Sequence, residues 1–227
     1  MKVALVTGAS KGFGAALADA LNSKGWSLIV DARNGDALAK TAARWENTIV
    51  IAGDVSEPDH REDLARAVHG LGRLDLLVNN ASLLGPSPQP TLDRYPIGVL
   101  ASVYDVNVFA PLALAQLALP YLKEAEGIVV NITSDAGVEP YEGWGGYGSS
   151  KAALDQLTAI LGAENPSIAA YAFDPGDMRT QMHQEAFPGE DISDRPLPET
   201  IVPALIRLLE TRPKNGRYRA ADLLVNA

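Results

Sequence analysis

The sequence predicts an α/β fold: an open, doubly wound parallel sheet of about seven strands with helices on both faces. Three observations predict it. Short runs of Val, Ile and Leu alternate with longer Ala- and Leu-rich stretches. Such alternation is the pattern of a parallel sheet built from crossovers. The short runs are apolar at nearly every position, as strands covered on both faces must be. A glycine-rich turn separates the first strand from the first helical stretch. Right-handed crossovers then fix most of the topology.

The elements follow in order. Val3–Val6 is the first strand, and a helix over 13–24 follows the glycine turn. Ser27–Asp31 precedes a helix over 36–45, and Thr48–Ile51 precedes one over 59–69. Leu74–Val78 leads through a loop to a long helix over 99–123. Ile128–Ile132 precedes a helix over 147–163, Ile168–Phe173 one over 198–210, and Tyr218–Leu224 is the last strand candidate. Residues 82–96 hold four of the 15 prolines, and 175–198 mixes Pro, Gly and acidic residues. Loops of this length in a compact domain are usually functional. No repeat, low-complexity tract or linker divides the chain. One domain is expected over 1–227, with a substrate lid at about 177–198.

Composition narrows the function. A chain of 227 residues supports one substantial core, and 47% hydrophobic with 21% charged residues is ordinary for a soluble globular protein. No apolar run reaches ~18 residues, so no membrane span is expected. Met1–Val6 runs straight into a strand, unlike a secretory leader. The absence of cysteine excludes disulfides, a thiol nucleophile and thiolate metal sites. It also fits a reducing cytosol, and a cytoplasmic protein is expected. A net charge of −9 argues against nucleic acid or anionic membrane as the main partner.

Thr7-Gly8-Ala9-Ser10-Lys11-Gly12-Phe13-Gly14 lies between a strand and a helix. Glycines allow a tight turn and close backbone approach to a pyrophosphate, and the helix N-terminus offers free N–H groups to it. A purely structural turn is the competing reading. Asp54 could accept from an adenine amine or simply cap a helix. Asn79-Asn80-Ala81 could contact a cofactor or bridge strands. All fall at strand C-terminal ends, where open parallel sheets bind ligands.

Tyr147 and Lys151 are four residues apart, with Ser134 thirteen before the tyrosine. On a helix, i and i+4 share a face. A free tyrosine has a pKa near ~10. A neighbouring cation favours the phenolate, so the pair could tune a proton donor and acceptor at a carbonyl or alcohol oxygen. Alone, the spacing is also that of a solvated helix face.

Jointly these motifs resemble the short-chain dehydrogenase/reductase family. The matches are Thr7–Gly14, Asp54-Val55, Asn79-Asn80-Ala81, Asn107, Ser134, Tyr147-x-x-x-Lys151 and Pro175-Gly176-x-x-x-Thr180, in the family's order. The resemblance implies a Rossmann-type fold and NAD(P)-dependent carbonyl/alcohol chemistry. It implies that Tyr147 is the general acid/base. Lys151 would lower its pKa and hold the nicotinamide ribose, and Ser134 would position the substrate oxygen. Asn107 resembles the residue holding a water that links Lys151 to solvent. It further implies cofactor contacts at Gly8, Ser10, Lys11, Gly12, Phe13, Gly14, Asp54, Val55, Asn80 and Ala81. Pro175 and Gly176 would flank the nicotinamide, with Thr180 near its carboxamide. A homo-oligomer, dimer or tetramer, is expected. Three departures stand out. Ser82 replaces the usual glycine, the helix after Lys151 meets Asn165-Pro166 early, and the C-terminal glycine-rich segment is reduced to Gly216–Asp222.

The second strand ends Asp31-Ala32-Arg33. Against the family pattern, Ala32 takes the position of the NAD-selecting acid, and Arg33 and Lys11 take positions that suit a 2′-phosphate. NADP is therefore favoured over NAD; a one-residue shift would put Asp31 at the ribose and reverse this. Asp177, Met178, Met182, His183 and Phe187, with Leu84, Tyr141 and Trp144, could line a substrate pocket or merely pack a lid. His183 has no second ligand nearby, and no metal is expected. Two further readings stay open. One is a cofactor-binding regulator or scaffold without turnover. The other is an isomerase that oxidises its substrate transiently.

Overall fold

Seven parallel strands form one sheet in the order β3-β2-β1-β4-β5-β6-β7. The computed structural model describes residues 1–225; Asn226 and Ala227, the end of the expected domain, lie outside the described residues. The strands are β1 Val3–Val6, β2 Ser27–Ala32, β3 Thr48–Ala52, β4 Leu76–Asn79, β5 Ile128–Ile132, β6 Ala169–Asp174 and β7 Gly216–Arg219. The expected doubly wound, Rossmann-type architecture is therefore the one observed. The order reverses at β1, which lies between β2 and β4, and opens a crevice at the strand C-terminal ends.

Alternate residues of the strands feed two cores. Ala4 and Val6 of β1, Leu28 and Val30 of β2, and Leu76 and Val78 of β4 face one side. There they meet α1 (Gly12–Ser23), α2 (Gly35–Ala42) and α8 (Pro198–Thr211). Val3, Leu5, Ile29 and Leu77 face the other, against α3 (Pro58–Leu71) and α5 (Ala110–Glu124). Most of these side chains are below 2% exposed. Full burial of one Leu, Ile or Val contributes about 1.5–3 kcal/mol. This two-sided burial is why the strand sequences read as unbroken apolar runs.

Two expectations need correction. The helix expected over 99–123 is three pieces: α4 (Ile97–Tyr104), a π-helical stretch at Asp105–Phe109, and α5. The π stretch sets Asn107 inward, fully buried. Such bulges recur at functional sites. The last strand does not run over Tyr218–Leu224. It ends at Arg219, after pairing Gly216–Arg219 with Tyr171–Asp174, and Ala220–Leu224 forms the short helix α9. Arg219 makes two hydrogen bonds to the Asp222 carboxylate, a contact at helical i,i+3 spacing that holds the turned chain.

The remaining helices are α6 (Gly145–Glu164) and, within the expected lid, α7 (Gln181–Ala186).

Candidate active site

The glycine turn is packed too closely for side chains. A Cβ on Gly14 would stand 2.4 Å from Asn80 Nδ2 and 2.6 Å from the Gly8 carbonyl oxygen. Gly8 has φ +68°, where only glycine is unstrained. Asn80 Nδ2 donates to the carbonyls of Thr7 and Gly8, and Thr7 Oγ1 accepts from the N–H groups of Asn80 and Ala81. Asn79 points into the sheet and donates to Asn131 Oδ1. The asparagine pair thus divides its work: Asn79 bridges β4 and β5, and Asn80 braces the turn. No side chain caps the start of α1, and its first turn carries no acid. Its N–H groups and partial positive charge suit a phosphate.

Asp31 does not face outward. Its carboxylate accepts from the Gly8 N–H at 2.8 Å and lies 3.0 Å from His60 Nε2, and the residue is 1% exposed. Burial raises its pKa, against the hydrogen bonds from His60 and Gly8. Arg33, two residues on, is exposed and makes no hydrogen bond or ion pair among the described residues. Lys11 Nζ donates to Gln181 Oε1 at 2.6 Å, which ties the turn to α7. Burial works against the charge of Asp54, yet hydrogen bonds from Ser56 N–H and Oγ hold its pKa below the usual value.

At the other end of the crevice, β5 delivers Ser134 and α6 delivers Tyr147 and Lys151. Ser134 Oγ donates to Asp135 Oδ1 and accepts from the Ala136 N–H. Lys151 is 2% exposed; its ammonium donates to the Ile132 carbonyl at 2.8 Å and stands 5.3 Å from the Tyr147 ring centroid. Burial pushes the Tyr147 phenol up to about 12, against the lowering effect of the Ser82 and Ser134 hydroxyls. This is opposite in direction to the lowering expected from a neighbouring cation. Within the protein alone, desolvation of the phenol is the largest effect. Burial also pushes Lys151 down to about 8, while Asp155 raises it.

Asn107 uses its whole side chain internally. Oδ1 accepts from the Leu83 N–H at 2.8 Å and Ser82 Oγ at 3.1 Å; Nδ2 donates to the Leu83 carbonyl and to Ser150 Oγ. The side chain therefore pins the loop after β4 to α6 and has no bond left to hold a water.

All the expected cofactor and catalytic residues line one cleft of about 1130 Å³ except Gly14 and Asn107, which stand directly behind its wall. The eight expected substrate-side residues line it too. Thr180 serves as the N-cap of α7, its Oγ1 accepting from the His183 N–H.

Sequence reasoning missed a charged network beneath the site. Arg217 of β7 donates to Asp174 Oδ2 at 2.6 Å and to Asp155 Oδ2 at 3.2 Å. Asp174 Oδ1 in turn accepts from the Gly176 N–H. Burial raises the pKa of Asp155, opposed by Thr133, Arg217 and Lys151. Asp155 follows Tyr147 and Lys151 at the same four-residue interval, so its face was legible; its link to Arg217 was not. Ser82, noted only as a departure, bonds Asn107 and faces the Tyr147 phenol.

A glycine turn over an uncapped helix, joined by one cleft to Ser134 and the buried Tyr147 and Lys151, defines a nucleotide-dependent oxidoreductase. Comparison with known proteins agrees. The family model for short chain dehydrogenase matches residues 2–191. An uncharacterised oxidoreductase of Saccharomyces cerevisiae is 36% identical over 185 residues, 80% of this chain and 72% of that one. Sepiapterin reductase of Mus musculus is 33% identical over 202 residues, 81% of this chain and 77% of that one. A Shigella flexneri protein described as a short chain dehydrogenase, crystallised with NADP, superposes with a TM-score of 0.90 at 28% identity over 97% of both chains. The chain belongs to the short-chain dehydrogenase/reductase family of NAD(P)-dependent oxidoreductases.

Proposed function

We propose that this protein is an NADP-preferring carbonyl reductase of small organic substrates, with Tyr147 as the proton donor. The carrying observation is Ser134 with the buried Tyr147 and Lys151 at the end of a cleft that begins at an uncapped helix N-terminus. The cofactor fits the residues present: the turn admits no Cβ at Gly14, and the α1 N–H groups meet no acid. When bound, NADPH supplies the hydride. Gly8, Ser10, Gly12, Phe13 and Gly14 would hold its pyrophosphate, with Asp54 and Val55 at the adenine. Asn80, Ala81, Pro175, Gly176 and Thr180 would line the path to its nicotinamide.

The chain's own groups do the rest. A phenol pushed up to about 12 stays protonated at neutral pH, which suits donation to a carbonyl oxygen as it gains charge. Ser134 Oγ is the second donor to that oxygen. Lys151 holds the ribose and, with a pKa near 8, exchanges protons close to physiological pH. Asn107 is a positioning residue acting through Leu83 and Ser150. Among the described residues no group of three or more His, Asp and Glu side chains is placed to hold a metal, at His183 or elsewhere. We read the protein as a single-domain, cytoplasmic enzyme with residues 177–198 as its lid.

The engagement of Asp31 by Gly8 and His60 supports NADP over an NAD-preferring alternative, because its carboxylate is turned from the surface that Arg33 occupies. No observation favours a regulator without turnover. Tyr147→Phe should lower kcat by at least ~100-fold and leave the Kd for NADPH within about twofold. Turnover retained with a substrate the wild type reduces would overturn the assignment. Arg33→Ala should raise KM for NADPH roughly tenfold and leave that for NADH nearly unchanged, since a charge-assisted phosphate contact is worth about 1.5 kcal/mol or more. Equal changes would remove the NADP preference.

A further inference from the structure

The substrate end of the cleft is aromatic and acidic. Four rings form a ladder from the lid to the reacting phenol: His183 to Phe187 at 4.9 Å, Phe187 to Trp144 at 5.7 Å, and Trp144 to Tyr147 at 5.9 Å. Tyr141 packs edge-on against Trp144 at 6.5 Å and donates its hydroxyl to Asp135 Oδ2. Asp135 also binds Ser134, so a carboxylate sits one residue from the group meant to orient the substrate oxygen. Glu142 and Asp177 line the same end, both exposed.

The acids act on the reacting region. Asp135 and Asp174 both raise the pKa of the Tyr147 phenol, and Asp135, Glu139 and Asp177 all raise that of Tyr141. Of the four nearby cations, two are shared between carboxylates and two sit on neutral carbonyls and keep their charge. Arg195 lies between Asp177 and Asp194, Arg217 between Asp155 and Asp174, and Arg179 donates to the Ser193 carbonyl. Lys151 is held by the Ile132 carbonyl. At the adenosine end Arg33 makes no ion pair among the described residues and lies near Asp54, and Lys11 is held by an amide. At the substrate end, counting both sides of each ion pair, carboxylates outnumber cations.

We infer that the substrate is a planar aromatic carbonyl compound, neutral or cationic, and that carboxylated analogues are turned away. Flat rings match the ring ladder in shape, and the aromatic faces favour a cation. An anion entering beside Asp135, Glu142 and Asp177 meets like charge at the solvent-exposed mouth of the cleft. This inference rests on the reductase reading of the same site, so the test separates the two.

Benzaldehyde, 4-carboxybenzaldehyde and 4-(trimethylammonio)benzaldehyde would be titrated into enzyme saturated with NADP⁺, where no reduction occurs. Quenching of tryptophan fluorescence reports binding, and Trp144→Phe, which should abolish most of the quenching, assigns it to the site. The expected Kd order is cationic below neutral below carboxylate, with roughly tenfold between the extremes at low salt. That spread should shrink several-fold in Glu142→Gln/Asp177→Asn and at high salt. A flat or reversed order, or a spread unchanged in the double variant, would overturn the inference. Turnover of the same aldehydes with NADPH judges the reductase reading separately. The charge order without any turnover sinks that reading alone, whereas turnover with a reversed order sinks only the substrate class.

Discussion

Tyr147, Lys151 and Asp155 recur every four residues along one face of α6, and each answers a different environment. Tyr147 and Lys151 are both displaced by burial toward their neutral forms. Asp155 is the nearby charge that keeps Lys151 protonated. Its own partners on other elements are Arg217 of β7 and Thr133 beyond β5, with Asp174 of β6 on the far side of Arg217. Removing the carboxylate removes a term that raises the Lys151 pKa. The ammonium of Asp155→Asn then loses its proton at lower pH than in the wild type. The alkaline limb of kcat/KM against pH should therefore move down, with activity at pH 8 reduced roughly three- to tenfold and activity at pH 6 nearly kept. A uniform loss at every pH would mean that Asp155 matters only for structure. At this scale the sequence was most informative about residue type and spacing. It could not reveal which groups are desolvated, and burial of the Tyr147 phenol opposes the lowering expected from the neighbouring cation.

The elements show where local pattern is enough and where it is not. β1, β2, β4, β5 and β6 were legible because strands buried on both faces must be apolar throughout, and the exposed edge strand β3 because Thr48–Ile51 is β-branched at every position. The final strand was misread because Ala-Ala-Asp-Leu-Leu is apolar enough for either state. Pairing with β6 stops at Arg219, and the Arg219–Asp222 contact then favours a turn of helix. The π stretch at Asp105–Phe109 was invisible for another reason. Its apolar spacing is nearly that of an α-helix, and only burial of Asn107 against Leu83, Ser82 and Ser150 reveals the extra residue. The lid was readable as a loop, but α7 within it and the Lys11–Gln181 tie across to the glycine turn were not.

Over the whole molecule, one surface stands out. The helical run Ile97–Glu124 holds an 18-residue window of mean hydropathy 1.7 and is long and apolar enough to cross a membrane. The sequence reading expected no such stretch, because no apolar run reaches ~18 residues. Its inner face packs in the core through Leu114, Ala118 and Leu122, while Ile97 and Phe109 remain 77% and 54% exposed. We propose that a second copy of this chain covers that outer face, giving a dimer or tetramer. Light scattering should report a mass at least twice 24.0 kDa for the wild type and a smaller mass for Phe109→Glu. A wild-type monomer at micromolar concentration would remove the proposal.

The sequence by itself determined the sheet, the glycine turn and the identities of the site residues. Apolar burial on both strand faces, the missing Cβ of glycine and fixed helical spacing are written locally in the chain. The tertiary structure alone decided how those residues behave. It turned Asp31 inward onto Gly8 and His60, left Arg33 as the unpaired charge at the adenosine end, and joined Arg217 to Asp155 and Asp174 across three elements. Those outcomes depend on desolvation and on which groups meet across as many as 62 residues of sequence, and no local pattern encodes either.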